Sequence, residues 1–220
     1  MPKPKRVFLI HAVSVAIEPI NGAFQRLWPE ARPSNLLEDS LSQDLEAAGA
    51  LTPALFGRLV DLARYAESAG ADAVLFTCSA FGEAIDGCRE HLSIPVMRPS
   101  EAMVAEALQL GSRVAVLATF EPAIAALRDE FQAMAKATGR SVDIQPHTCA
   151  EAMVALRAGD VAAHDRLIAA MAAEVRDADV LCFAQFSMTS AAEAARAASP
   201  LPVLTTPDSA VLKLRQMLAR

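Results

Sequence analysis

Arg6-Val-Phe-Leu-Ile10 returns as Arg113-Val-Ala-Val-Leu117, 107 residues later. At the same spacing Asp72 meets Asp179, Phe76 meets Phe183, Arg89 meets Arg196, and Pro95-Val96 meets Pro202-Val203, with no gap needed. Identity is low. The matches nevertheless fall at aspartate turns, at apolar runs and at the hydrophobic-Pro-Val starts of short strands. Self-similarity at one fixed spacing is the mark of a repeated structural unit, so the chain reads as two copies of one half-domain.

Within each copy, short apolar runs alternate with longer stretches of helical spacing, the pattern of βα units on a parallel sheet. The predicted strands are 7–10, 35–37, 73–77 and 94–97, echoed by 114–118, 142–145, 180–184 and 201–204. Their near-continuous apolar character suits strands covered on both faces. Segments 53–68 and 160–176 carry apolar residues three and four apart and should supply that cover. Pro99 and Pro207 open the last helix of each copy, where a missing N–H costs little. The expected fold is α/β: two pseudo-symmetric halves, each a short parallel sheet flanked by helices, with the active-site cleft between them. The expected division is 1–98 plus 208–220 for the first half and 99–207 for the second.

The 220 residues carry 26 acidic and 20 basic side chains, a net charge of −6, and 53% are apolar. Such a chain can bury a substantial core and lies outside the disordered regime. Only Lys3, Lys5 and Arg6 cluster as cations, which is no footprint for nucleic acid. Met1-Pro-Lys-Pro-Lys-Arg6 followed by the apolar run 7–17 imitates a secretory signal. His11 and Ser14 interrupt that run, however, and a buried first strand accounts for it as well. No apolar stretch reaches the roughly 18 residues needed to span a bilayer. The cysteines at 78, 88, 149 and 182 form no CxxC pair. The expectation is a cytoplasmic enzyme with free thiols, no membrane partner, and a homodimer as its assembly.

In open parallel sheets, ligands bind beyond the carboxyl ends of the strands. That rule selects 11–14, 39–42, 77–82, 119–122, 146–149 and 184–189. In Leu75-Phe-Thr-Cys-Ser-Ala-Phe-Gly82 a strand delivers Cys78 to the start of a helix. Helix N–H groups there favour the thiolate and are expected to lower its pKa. Thr77, Ser79 and neighbouring amides can hold a carboxylate or an enolate oxygen. Cys78 stands 107 residues before Gln185, so the two should face one another. Cys182 and Cys88 align with a strand residue and a helix residue and read as core; Cys149 keeps a chance of reaching the site. His11 ends the first strand, either as an acid, base or donor to substrate, or as a histidine bonded within the fold. His91 and His164 fall in helical stretches and read as solvated. Glu38, Asp39, Glu121 and Asp208 lie near the strand ends without metal-ligand spacing. No HExxH, GxxxxGK or GxGxxG occurs, so neither metal nor cofactor is expected.

These residues resemble the aspartate/glutamate racemase superfamily, which includes hydantoin racemases, maleate isomerases and arylmalonate decarboxylases. The resemblance spans nearly the whole chain and rests on the two halves, on Cys78 in Phe-Thr-Cys-Ser-Ala, on the strand end Leu117-Ala-Thr119, and on Ala184-Gln-Phe-Ser-Met188. It implies a cofactor-independent isomerase acting on a small carboxylate carbon acid, with a cysteine of each half flanking the substrate. Cys78 would be the first thiol, with Thr119, Ser79 and Ala80 binding carboxylate. Phe120 and Ser187 lie beside these in the same loops and join Thr77 and Gln185 as candidate substrate contacts. The chain departs from the family in Gln185, since an amide cannot carry a proton near pH 7, and in Ser79-Ala80 where Asn-Thr is usual. With one thiol firmly placed, two alternatives stand beside racemisation: a one-thiol decarboxylase, and a binding protein without catalysis.

Overall fold

The computed structural model describes residues 3–219. Its described residues through Pro99, joined by those from Val211 onward, form one compact unit, and Ser100–Ala210 form another. The first holds strands β1 (Arg6–His11), β2 (Arg32–Leu37), β3 (Ala73–Phe76) and β4 (Val96–Met97). The second holds β5 (Arg113–Ala118), β6 (Asp143–Thr148), β7 (Val180–Phe183) and β8 (Val203–Thr205). Each set is a parallel sheet, in the orders β2-β1-β3-β4 and β6-β5-β7-β8.

The matched residues pin the two sheets in the same way. The Asp72 amide donates to Arg6 O at 2.7 Å while the Asp72 carboxylate accepts from the Arg6 amide at 2.7 Å. Asp179 and Arg113 exchange the corresponding pair at 2.8 and 2.9 Å. At the opposite strand ends, Thr77 N donates to Ile10 O and Ala184 N to Leu117 O. The repeat is thus a repeat of hydrogen-bond geometry.

It is not free of gaps. From Val7 to its β3 partner Ala73 is 66 residues, as from Val114 to Val180. From Val7 to its β2 partner Pro33 is 26, but from Val114 to Ile144 is 30. Four extra residues precede β6 and are given back before β7. They are accommodated by the crossover helices, α1 (Ile17–Leu27) of 11 residues against α6 (Glu121–Ala137) of 17. The structural counterpart of Leu37 is therefore Thr148, and that of Glu38 is Cys149: Glu38 N and Cys149 N each donate 3.0 Å bonds to the central strand, at His11 O and Ala118 O. The apolar reading also fails for β2 and β6. Both are edge strands with alternating exposure, and each carries a proline, a residue confined to edges because it cannot donate to a ladder.

Helices α2 (Ser40–Ala48), α3 (Pro53–Ser68) and α4 (Gly82–Cys88) follow in the first half. Thr52 caps α3 through Leu55 N, with Pro53 opening it. Leu55, Leu59 and Ala63 of α3 bury against Phe8, Ile10, Val74 and Phe76. In the second half α5 (Glu101–Leu110) and α6 place Met103, Val104, Ile124 and Phe131 on Val114, Val116 and Cys182. Helices α7 (Ala150–Arg157), α8 (Val161–Glu174) and α9 (Ala192–Ala198) cover the other face, where Ile168, Ala172 and Ala195 meet Ala115, Leu117 and Phe183. Helix α5 ends the first copy in sequence yet packs in the second unit. The last helix, α10 (Thr206–Leu218), contributes Ser209 to the second unit, where it bonds Glu106, and Arg215 to the first, where it bonds Leu27 O. Among the described residues no helix is long and apolar enough to cross a membrane.

His164, read from sequence as solvated, is fully buried. It precedes Ile168 and Ala172 by one and two helical turns on the buried stripe of α8, and Asp165, bonded by Ser190 Oγ, takes its Nδ1 at 2.8 Å.

Candidate active site

Strand β3 ends at Phe76, and the extended backbone of Cys78 turns into a single 3-10 turn, Ser79–Phe81, before α4. Ser79 and Ala80 are exposed and Cys78 is half-buried. The amide of Ala80 donates toward the Cys78 sulfur and favours its thiolate, but burial is the larger effect and pushes the thiol up. This corrects the expectation of a lowered pKa. The helix that follows is short and begins only after the 3-10 turn, so its dipole offers less than desolvation removes.

Beside Cys78, the side chain of Thr77 is held by His11. His11 Nδ1 lies 2.8 Å from Thr77 Oγ1, and Nε2 lies 2.9 Å from Asn35 Oδ1. His11 is fully buried, and burial lowers its pKa despite the opposing bond from Asn35. A neutral ring then donates Nε2–H to the Asn35 carbonyl and accepts the Thr77 hydroxyl at Nδ1. Asn35 in turn donates to Asn21 Oδ1. Strands β1, β2 and β3 are tied together beside the thiol-bearing turn. Sequence spacing does not single out Asn35, because its strand reads as apolar.

Arg98 also escapes the sequence reading. It follows β4, and its Nε and Nη2 grip the two oxygens of Asp86 in α4. A Cβ added at Gly82 would lie 3.2 Å from Arg98 Nη1, so the glycine lets the guanidinium lie close over the start of α4. The available signal is a cation directly after the Pro-Val strand; Thr205 stands at its 107-residue counterpart.

In the second half, Gln185 occupies the place of Cys78, extended and followed by the 3-10 turn Phe186–Ala191. Its Oε1 accepts from Thr119 N at 2.7 Å and from Thr119 Oγ1 at 3.0 Å. Thr119 is buried, while Phe120 beside it is 44% exposed. Ser187 is half-buried, and among the described residues its hydroxyl makes no hydrogen bond. Cys149 caps α7 and is half-buried, with Sγ–H donating toward Glu151 at 3.7 Å. Cys88 and Cys182 are fully buried; burial pushes Cys88 up to about 11 and Cys182 higher still. Of the acidic candidates, Glu38 pairs with Arg58 and Asp208 with Arg196. Among the described residues no three His, Cys, Asp or Glu side chains gather as metal ligands. The geometry groups Cys78 with Thr77 and His11 in one half, and Thr119 with Gln185 in the other.

No curated protein matches the sequence. Solved structures do. The aspartate racemase of Picrophilus torridus is similar at 14% identity and a TM-score of 0.69, over 98% of this chain and 94% of that one. An aspartate racemase homologue from Pyrococcus horikoshii gives 16%, 0.72, 98% and 100%. Allantoin racemase from Klebsiella pneumoniae gives 13%, 0.66, 98% and 88%. At these identities the likeness shows the fold. The family model for Asp/Glu/hydantoin racemase matches residues 39–184, a span that carries Cys78, Thr119 and the ends of β3, β5 and β7. The chain therefore belongs to the Asp/Glu/hydantoin racemase family, and it is a racemase-type enzyme of the pyridoxal-phosphate-independent kind.

Proposed function

We propose that this isomerase acts on a small carboxylate carbon acid, with the Cys78 thiolate as the base. The observation that carries the reading is the placement of Cys78 at the carboxyl end of a central strand, half-buried, with the Ala80 amide directed at its sulfur. Cys88 and Cys182 are sealed in the cores. In the reaction, the thiolate takes the α-proton, the C–H electron pair passes into the adjacent carboxylate or carbonyl as an enolate, and a proton returns to carbon. His11 is a positioning residue in this scheme: both ring nitrogens are engaged, and it holds Thr77 in place.

A lyase reading has one observation in its favour. Gln185 carries no transferable proton at the position matching Cys78, and decarboxylation to an enolate that Cys78 protonates needs a single thiol.

The test is α-deuterium incorporation from D2O into both enantiomers of aspartate, glutamate and 5-substituted hydantoins, with carbon dioxide release measured on 2-substituted malonates. Cys78→Ser should abolish exchange or release. In the unmodified protein kcat/KM for exchange should climb with pH into the alkaline range, because the active thiolate forms only above a raised pKa. Unchanged turnover in Cys78→Ser overturns the reading.

A further inference from the structure

We infer that Gln185 is a fixed hydrogen-bond donor for an anionic substrate oxygen, with its amide orientation set by Thr119. The two ends of a glutamine amide are close to one another in shape, so their assignment normally rests on the surrounding network. Here the network is unambiguous, since a backbone N–H can only donate. The Thr119 amide lies 2.7 Å from one end of the Gln185 side chain, and that end must be the oxygen. The Thr119 hydroxyl, at 3.0 Å, donates to the same oxygen. Both lone-pair directions of Oε1 are thus filled from within the second half.

The nitrogen end is left as the outward one. Nε2 makes no hydrogen bond among the described residues, and it is absent from the buried atoms without partners, which are His147 Nε2 and His164 Nε2. It therefore reaches solvent with two N–H donors. Two donors polarised by two bonds accepted at the other end of the same amide suit a carboxylate or an enolate oxygen. They do not suit a cation or a carbon acid's proton.

The first half shows what is particular to this arrangement. At the 107-residue counterparts, Ala12 replaces Thr119 and Cys78 replaces Gln185, so no side-chain hydroxyl or amide is paired in that way.

This inference rests on the carbon-acid reading for its substrate class, but its test does not require turnover. The side-chain NH2 pair of Gln185 is identified in 15N-labelled protein by its loss in Gln185→Glu, then followed during titration with succinate. The expected result is a saturable shift of that pair, with succinate affinity falling at least tenfold in Gln185→Glu and in Gln185→Leu. Thr119→Val, which keeps the backbone donor, should lower affinity by a smaller factor of about three and broaden the pair. Cys78→Ser should still bind succinate, so loss of turnover in that variant and loss of this subsite are separable. A pair that stays still while succinate binds elsewhere, an unchanged affinity in Gln185→Leu, or no saturable shift at all overturns the inference.

Discussion

The two halves share their strand order and their pinning bonds, and they differ where the strands end. In the first, a buried histidine, a threonine and an asparagine knit β1, β2 and β3 together beside an ionisable thiol. In the second, a threonine alone anchors a neutral amide. Backbone position is preserved while the chemistry it presents is not, because the frame is fixed by main-chain bonds at Asp72 and Asp179 and leaves the terminal side chains free to diverge. Duplication of a fold does not carry with it duplication of function.

The largest effect that would break this contrast is catalytic. Cys78→Ala should lower kcat by about a thousandfold or more, as expected for loss of a general base, whereas Gln185→Ala should lower it by about ten- to a hundredfold, the scale of a lost donor. Equal losses in steady-state assays would mean that the halves contribute alike. Next comes stability. His11→Ala removes a fully buried side chain and takes one hydrogen-bond partner each from Thr77 and Asn35, at a cost of about 2–4 kcal/mol by denaturant unfolding. Thr119→Ala, which leaves the backbone donor to Gln185 in place, should cost about 1 kcal/mol.

Packing should differ as well. A Cβ at Gly87 would fall 2.2 Å from Phe56 Cζ, while the 107-residue counterpart is already Ala194. Gly87→Ala should therefore cost about 1–3 kcal/mol from the forced shift of the ring, and Ala194→Gly no more than about 1. The smallest effect concerns pH. His11 titrates below its ordinary 6.5 in the folded protein, so as pH falls through 6.5 the unfolded chain takes up a proton that the folded one refuses. Stability should drop on acidification by up to about 1.4 kcal/mol per pH unit until the folded pKa is reached. The stability gap between the unmodified protein and His11→Gln should narrow over that range; a constant gap would show that His11 is not held neutral.

Most of the frame is legible in the residues. Arg6, Asp72 and Pro95 recur because each repeat needs the same turn and the same edge, and α3 spans 53–68 as its apolar spacing requires. What escapes the sequence has a common cause. Edge strands β2 and β6 bury only part of each side, so their mixed sequences hide both Asn35 and the four-residue displacement that makes Cys149 the counterpart of Glu38 rather than of Ser42. The raised thiol of Cys78 and the burial of His164 depend on neighbours distant in sequence, which spacing alone does not reveal.

Helix α5 belongs to the first repeat by sequence and to the second unit by packing, and the later turns of α10 make the reverse exchange. A fragment cut at the junction of the repeats would leave Met103, Val104, Ala107 and Leu108 bare and strip the same residues from the sheet they cover. Separately expressed repeats should thus be sticky, poorly soluble pieces that recover solubility only on mixing, whereas a chain joining residues 3–99 to 211–219 through a short linker keeps each apolar surface with its own partner.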